Sequence, residues 1–311
     1  MFNSPVPDKI LFIANPTSRI IDKEGARNEI SRLSREFRFA WDIYYTEKQD
    51  HDLKIREKIN EYKPGLVVAI GGDGTINPVA TALIGSHMEL GIIPAGSANG
   101  LAYNLGIPSG FNEAIDLILN EGAKPLDAIV INNRHYCYHL SDIGINARIV
   151  KRFEQEGSKG LIGYGKQMIK ELLSKRDIFS FTIKMPGGKK RFRAELLAIA
   201  NARYFGTGAV INPAGRFDDG RFEIIVIKPY PWWAIFYLIR MFLFGSIEDR
   251  RFVRILSATE TEISFDKKQD LQADGEIIRD VGRLQIRIIP SAVKVRYRHA
   301  RRPDNDNRAM P

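Results

Sequence analysis

A carboxylate stands inside a glycine turn in the segment LVVAIGGDGTINPV, residues 66–79. Asp73 lies between Gly72 and Gly74, directly after an apolar run that is typical of a buried strand. The exposed backbone N–H groups of such a turn, followed by the positive end of a helix beginning near Thr75, bind anions. An acid in the same turn would repel a bare phosphate, so the pattern favours a phosphate accompanied by a cation. The alternative is a turn with a purely structural role.

Strands and helices must position this turn, and the first third of the chain predicts them in alternation. They are the strands 9–16, 39–46, 65–70 and 89–97 and the helices 22–37 and 52–62. Such alternation is typical of a parallel sheet covered by helices on both faces, where ligands bind beyond the carboxyl ends of the strands. Those ends carry polar and glycine residues here: Asn15, Thr46, Gly71–Thr75 and Gly96–Asn99. We expect the four ends to converge on one ligand.

From about residue 125 the sequence consists of strand-like runs broken by Gly, Asn and Asp turns. MPGGKK (185–190) is typical of a hairpin turn, and 161–175 carries the stripe of a helix. We predict an α/β N-terminal domain with a parallel sheet, followed by an antiparallel β-sandwich. The expected boundaries are 1–124 for the first domain, 125–290 for the second, and 291–311 for a returning strand and a basic tail.

Several motifs together resemble the catalytic domain of diacylglycerol kinases and related bacterial lipid kinases, a family related to sphingosine and ceramide kinases. The motifs are NPTS, GGDGT, PAGSANGLA, SDIGINA, ANARYFGTG, NPAGRFDDGRFEI and LQADGE. The resemblance extends from residue 9 to about residue 298. It implies an ATP- and Mg²⁺-dependent kinase that phosphorylates a hydroxyl of a diacylglycerol-like or sphingoid-type lipid, with the nucleotide between the two domains.

The resemblance also implies roles for individual residues. Asp73 would support magnesium, and either Asp274 or Asp73 would take the proton of the acceptor hydroxyl. Glu276 would contact the nucleotide or the metal network, and Asp219 would belong to a second, structural magnesium site. The implied nucleotide-binding residues are Asn15, Pro16, Thr46, Gly71, Gly72, Asp73, Gly74, Thr75, Gly96, Ser97 and Asn99.

Two positions depart from the family pattern. Gly100 stands where bacterial diacylglycerol kinases commonly have an acid, and Asn146 replaces a frequent Asp. The segment AGSANGLA is closer to the corresponding motif of sphingosine and ceramide kinases. The departures affect the substrate assignment more than the phosphotransfer chemistry.

The composition favours anionic partners, since 46 Lys and Arg face 37 Asp and Glu, a net charge of +9. With a single cysteine, Cys137, and no apparent signal peptide, we expect a cytoplasmic protein in peripheral contact with anionic membranes. The five histidines show no metal-ligand spacing. We expect no nucleic-acid partner, and a homodimer is possible. The apolar segment 231–245 is interpreted as a core helix or as an interfacial element.

Two other functions remain open at this stage. One is a phosphotransferase similar to NAD kinases, which share the glycine turn with its acid. The other is a lipid- or nucleotide-binding regulator without turnover, which the missing acid at Gly100 favours.

Overall fold

The structure, a computed structural model, describes residues 6–18, 23–47, 52–144, 177–185, 187–205, 209–234, 237 and 251–298. Strands and helices alternate in its first part. They are β1 (Lys9–Ala14), α1 (Lys23–Phe37), β2 (Ala40–Tyr45), α2 (Asp52–Tyr62), β3 (Leu66–Gly71), α3 (Asp73–Leu83), β4 (Glu89–Pro94), α4 (Gly100–Asn104) and α5 (Phe111–Asn120). The predicted strands and helices of this part are present, with ends that differ by a few residues.

The strands β2, β1, β3 and β4 form a parallel sheet in that order. β3 is buried along its whole length because both faces of the sheet are covered. In α1, Ala26, Ile30 and Leu33 are buried at three- and four-residue steps, as the apolar stripe predicts. With β1 between β2 and β3, the strand order reverses there, and a crevice for a ligand is expected at the carboxyl ends beside it.

The second part is built from strands. They are β5 (Ala123–Ile131), β6 (His135–Cys137), β7 (Leu140–Gly144), β8 (Phe179–Met185), β9 (Gly188–Ala194), β10 (Leu196–Ala200), β11 (Tyr204–Phe205), β12 (Ala209–Val210), β13 (Phe222–Ile227), β14 (Val253–Ala258), β15 (Glu260–Ala273) and β16 (Glu276–Arg296). β14, β13, β10, β7, β15 and β16 are antiparallel neighbours in that order. β8 and β9 form the hairpin predicted at MPGGKK, whereas the predicted helix 161–175 lies outside the described residues.

Apolar side chains of these strands form two clusters. One lies around Phe181, Ile199 and Leu284, and the other around Leu196 and Ile225. The alternation of buried and half-buried residues along β8 directs its phenylalanines into the first cluster. Within the described residues, no helix is long and apolar enough to cross a membrane.

The long strand β16 joins the two parts. It pairs antiparallel with β15 and β5, and its last residues pair parallel with β4 through Lys294 opposite Glu89. Near its end, Arg296 is 1% exposed; its Nε donates to Glu89 Oε2 at 2.5 Å and its Nη1 donates to the carbonyl of Ile118 at 2.9 Å. The strand therefore fixes the antiparallel region to the edge of the parallel sheet.

Of the apolar segment 231–245, the structure describes 231–234 and residue 237. Trp232 is 75% exposed and Trp233 is 52% exposed, whereas Ala234 is buried and Tyr237 packs against an apolar cluster. The core-helix interpretation is therefore wrong for the two tryptophans.

Candidate active site

A cleft of about 390 Å³ opens at the carboxyl ends of β1, β3 and β4. Its lining residues are Asn15, Thr17, Ser18, Gly72, Gly74, Thr75, Ala95, Gly96 and Ser97. Residues that follow three different strands thus share one cleft, as expected for a parallel sheet. The sequence predicts all of these residues except Thr17, Ser18 and Ala95, although Thr17 and Ser18 belong to the NPTS motif.

The two glycine turns of the cleft touch each other through their backbones. A Cβ on Gly96 would lie 2.4 Å from the Cα of Gly72, a distance that no real pair of such atoms adopts. Asn99 fixes the second turn, since the N–H of Gly96 donates to Asn99 Oδ1 at 2.9 Å and Asn99 Nδ2 donates to the carbonyl of Gly96 at 3.0 Å. The glycines are therefore required here for close approach of the backbone.

The helix α3 begins at the edge of this cleft, with Gly72 as its N-cap. The first N–H groups of a helix have no partners within the helix, and its dipole adds a partial positive charge at that end. Gly74 and Thr75, in the first turn of α3, line the cleft. This geometry suits a phosphate group.

Three other predicted nucleotide-binding residues lie around the cleft without lining it. Gly71 ends β3, and its carbonyl accepts the N–H of Ala95 at 2.8 Å. Thr46 follows β2, where its N–H donates to the carbonyl of Ala14 at 2.9 Å. Pro16 adjoins Asn15. Gly71 thus links two of the strand ends, whereas Thr46 lies beyond β1 on the side away from β3.

The carboxylate of Asp73 holds the start of α4. Its Oδ2 accepts the N–H of Gly100 at 2.9 Å, and its Oδ1 accepts the N–H of Leu101 at 3.1 Å. Because a carboxylate offers about four acceptor positions, each oxygen keeps capacity for one further donor or for a cation. Asp73 is half-buried, so these positions can be reached.

Asp274 lies in the turn between β15 and β16, with a left-handed backbone (φ 44°). Its Oδ2 accepts the N–H of Tyr138 at 2.7 Å, and its Oδ1 accepts the N–H groups of His139 at 3.2 Å and Leu140 at 3.0 Å. Cys137 Sγ also donates to Oδ1, at 3.3 Å. The carboxylate therefore fixes the segment 137–140 between β6 and β7.

Burial raises the pKa of the Asp274 carboxyl, against the lowering effects of His139 and of the backbone N–H donors of Leu140 and Tyr138. Burial also raises the pKa of the Cys137 thiol well above its ordinary value. The thiol therefore stays protonated and can donate to the carboxylate.

The helix α3 connects the two acids. Asn77 lies one turn after Asp73 on the same face, and its Nδ2 donates to Asp274 Oδ2 at 3.2 Å and to the carbonyl of Tyr136 at 3.2 Å. One turn further, the hydroxyl of Thr81 lies 3.2 Å from that of Tyr138. A glycine turn of the parallel sheet and an acid of the antiparallel region thus meet along one helix. The sequence analysis missed Asn77, although its four-residue spacing from Asp73 was a usable signal.

The other two predicted acids are arranged differently. Glu276, the first residue of β16, is exposed beside the Asp274 turn. Asp219 lies near Asp127, which accepts the N–H of Gly220, the residue after Asp219, at 2.7 Å. Burial raises the pKa of Asp127, and the negative charge of Asp219 adds to that rise. Among the described residues, no group of three His, Cys, Asp or Glu side chains could hold a metal ion. Asn146 lies outside the described residues.

Comparison with known proteins identifies the family. Residues 9–131 match the diacylglycerol kinase catalytic domain, and residues 141–297, half of the chain, match the YegS C-terminal NAD kinase beta sandwich-like domain. This chain belongs to the YegS family. Both the recognised resemblance and the predicted fold class are thereby confirmed.

Relatives of this YegS-type protein include two bacterial proteins, each named "Probable lipid kinase YegS-like". The one from Yersinia enterocolitica is 32% identical over 51% of this chain and 55% of its own length, so the match spans about half of each protein. The one from Pectobacterium atrosepticum is 27% identical over 91% of this chain and 96% of its own length.

The fold of this YegS-type chain also occurs in a solved structure. A diacylglycerol kinase from Bacillus anthracis str. Sterne superposes with a TM-score of 0.76 at 24% identity, over 94% of this chain and 98% of that one. This likeness is evidence of the fold.

The residues present fit a nucleotide that carries its own magnesium. The contact of Gly72 with Gly96 leaves a cradle free of side chains, and the start of α3 adds N–H donors. Mg²⁺ usually keeps several waters and takes one or two carboxylates plus the phosphates of the substrate. Asp73 alone can supply that carboxylate, so the absence of a larger acidic group among the described residues does not conflict with the fit.

Proposed function

We propose that this chain is a lipid kinase, which transfers a phosphoryl group from ATP, bound with Mg²⁺, to a hydroxyl of a diacylglycerol-like or sphingoid-type lipid. The observation that carries the proposal is the meeting of a glycine turn at the cleft with two acids, Asp73 and Asp274, along α3. The names of the relatives support a lipid acceptor.

Phosphoryl transfer depends on positioning and charge stabilisation more than on covalent chemistry by the protein. In the proposed reaction the two glycine turns and the first N–H groups of α3 hold the phosphates. Mg²⁺ would neutralise charge that develops on the phosphate oxygens, and Asp73 would support it through a coordinated water. The chain's own contribution is to align the lipid hydroxyl and to accept its proton.

Of the two acids, Asp73 is the better candidate for accepting that proton. Asp274 already receives five donors, namely three backbone N–H groups, the amide of Asn77 and the thiol of Cys137. A carboxylate has about four acceptor positions, so Asp274 must lose a contact before it can take a proton. Asp73 receives two donors and keeps free capacity. In this assignment Asp274 has a structural role, which is to fix the segment 137–140.

The matched substitutions Asp73→Asn and Asp274→Asn test this division. Loss of a general base costs about 10²- to 10⁴-fold in kcat, so we expect Asp73→Asn to fall in that range. Its thermal midpoint should fall less than that of Asp274→Asn, because the Asp73 carboxylate accepts two N–H groups and that of Asp274 accepts five donors. Asp274→Asn turns an amide nitrogen toward N–H donors, so we expect a lower thermal midpoint and a smaller loss of kcat. The reverse pattern in steady-state kinetics would assign the base to Asp274.

The reaction class is tested with radiolabelled ATP, Mg²⁺ and total membrane lipid. A lipid kinase transfers label to an organic-phase product, and a lipid panel then identifies the acceptor. The match to an NAD kinase beta sandwich-like domain makes NAD the second acceptor to test. Label found only in a water-soluble product of NAD would contradict the proposal and indicate a phosphotransferase similar to NAD kinases. ATP binding without labelling of either acceptor would indicate a regulator without turnover.

A lipid kinase must also reach its substrate, and we propose that Trp232 and Trp233 contact the membrane. Both are exposed large aromatics, which suit the boundary between headgroups and acyl chains. The net charge of +9 favours anionic leaflets.

Sedimentation with anionic phospholipid vesicles tests this contact. We expect Trp232→Ala/Trp233→Ala to remain in the supernatant while it phosphorylates a short-chain lipid normally. Leu53→Ala is the control, because Leu53 is 72% exposed but lies on α2 of the first domain. Normal sedimentation of the double variant would exclude this segment as the membrane contact.

A further inference from the structure

His139 lies in the connection between β6 and β7, and its ring is held in place. Its Nε2 is 2.9 Å from the carbonyl of Tyr204 and 3.1 Å from Asn104 Nδ2. Because the carbonyl can only accept, we assign the tautomer in which the N–H at Nε2 donates to it. Asn104 braces the same carbonyl, since its Nδ2 donates to Tyr204 O at 3.1 Å and to Gly100 O at 2.9 Å. The N–H of Tyr204 donates back to Asn104 Oδ1 at 2.8 Å. The imidazole is thus attached to α4 and β11 together.

The ring lies against the Cα of Gly100. A Cβ at position 100 would be 2.8 Å from His139 Cε1 and 3.0 Å from Nδ1, so any side chain there requires the ring to move. Position 100 is also where the family pattern commonly has an acid. In this chain the imidazole occupies the space that the first atoms of such a side chain would take.

His139 is therefore linked to both acids. Its backbone N–H donates to Asp274 Oδ1 at 3.2 Å. Its ring contacts Gly100, whose backbone N–H donates to Asp73 Oδ2 at 2.9 Å. A shift of the ring would therefore act on two backbone segments, the one that Asp274 holds and the one that donates to Asp73.

The structure assigns His139 as a positioning residue that sets the distance between Asp73 and Asp274 through its contact with Gly100. Gly100 and His139 are accordingly an interdependent pair, in which a side chain at 100 is tolerated only without the ring. This inference rests on the proposed kinase function for its kinetic consequences, whereas the interdependence itself is a property of the fold.

A double-mutant cycle with Gly100→Ala, His139→Ala and the double variant tests the pair. A displacement of about 1 Å in an active site can cost roughly 10²-fold, so we expect each single variant to lose about 10- to 100-fold in kcat. The KM for ATP should change little for His139→Ala, because His139 does not line the cleft. The double variant should be more active than Gly100→Ala, since the methyl group no longer meets a ring.

Two further variants separate positioning from general damage. His139→Gln keeps a donor near the position of Nε2 and should recover part of the kcat lost in His139→Ala. Gly282→Ala is the glycine control, because a Cβ there meets only the Lys268 side chain at 3.9 Å, and it should behave as the wild type.

Thermal midpoints of the same set keep this inference distinct from the proposed function. If the wild type phosphorylates no lipid, the kinase proposal fails, but a double variant with a higher midpoint than Gly100→Ala still supports the pair. The inference would be overturned if the kcat losses of the single variants multiply to that of the double variant within about twofold and their shifts in thermal midpoint also add. Contacting residues normally couple more strongly than that.

Discussion

At the scale of single residues, the site depends on side chains that are absent as much as on those present. Gly72 and Gly96 let two turns meet, and Gly100 leaves room for a ring. Sequence reasoning predicts the first pair because glycine and polar residues after an apolar strand are a local signal. It does not predict the role of Gly100, which depends on His139, a residue distant in sequence.

We predict that Gly96→Ala weakens nucleotide binding without unfolding the protein. The added methyl would lie 2.4 Å from the Cα of Gly72, so the two turns must separate. Forced fits of this kind cost about 1–3 kcal/mol, which corresponds to a roughly 5- to 150-fold rise in the Kd for ATP measured by calorimetry.

Gly74→Ala provides the comparison within the same cleft. A Cβ on Gly74 meets no atom within 4 Å, so this variant should weaken ATP binding less than Gly96→Ala. Equal losses in the two variants would mean that the contact between the turns does not shape the binding site.

At the scale of elements, α3 does more than begin at the edge of the cleft. Its residues Asp73, Asn77 and Thr81 recur every four positions and face α4, the Asp274 turn and Tyr138 in succession. The 3.6-residue period predicts that they share a face, but their partners depend on strand pairing. Asp274 reaches the segment 137–140 because β15 pairs with β7, with Ala273 opposite Ser141. Sequence patterns do not specify such long-range register.

Substitution of Asn77 tests α3 as the connection between the two acids. Asn77→Ala removes a donor from Asp274, and Asn77→Asp removes it and adds a like charge. Two neighbouring carboxylates raise the pKa of the pair, and their repulsion is complete only when both are ionised.

We therefore expect Asn77→Asp to be less stable than Asn77→Ala at about pH 8, and the difference to shrink at about pH 5 or below as one carboxyl takes up a proton. Urea midpoints at the two pH values measure this. A difference between the variants that is independent of pH would mean that residue 77 and Asp274 do not interact electrostatically.

At the scale of the whole molecule, β16 is the strand that joins the parallel sheet to the antiparallel region. Alternating strands and helices predict the parallel sheet, and turn-separated strands predict the sandwich, because both patterns are local. The joint between them is not local, since the end of β16 pairs with a strand that lies about 200 positions earlier. A buried arginine stands at that joint, which is costly unless its charge is paired.

The joint yields a prediction about which partner of the ion pair matters more. Arg296 is 1% exposed and the side chain of Glu89 is 25% exposed, so the two losses are not equivalent. Removing Glu89 leaves a guanidinium buried without its carboxylate, whereas removing Arg296 leaves a carboxylate that water can reach.

Breaking a buried pair from one side costs about 3–5 kcal/mol, and we expect Glu89→Leu to approach that range. Arg296→Met should cost less, and the double variant should be more stable than Glu89→Leu alone, because it no longer buries a guanidinium that has lost the Glu89 carboxylate. Thermal midpoints of the three variants check this order, and a double variant that is less stable than both singles would show that the joint is held by packing of the arginine stem instead of by the pair.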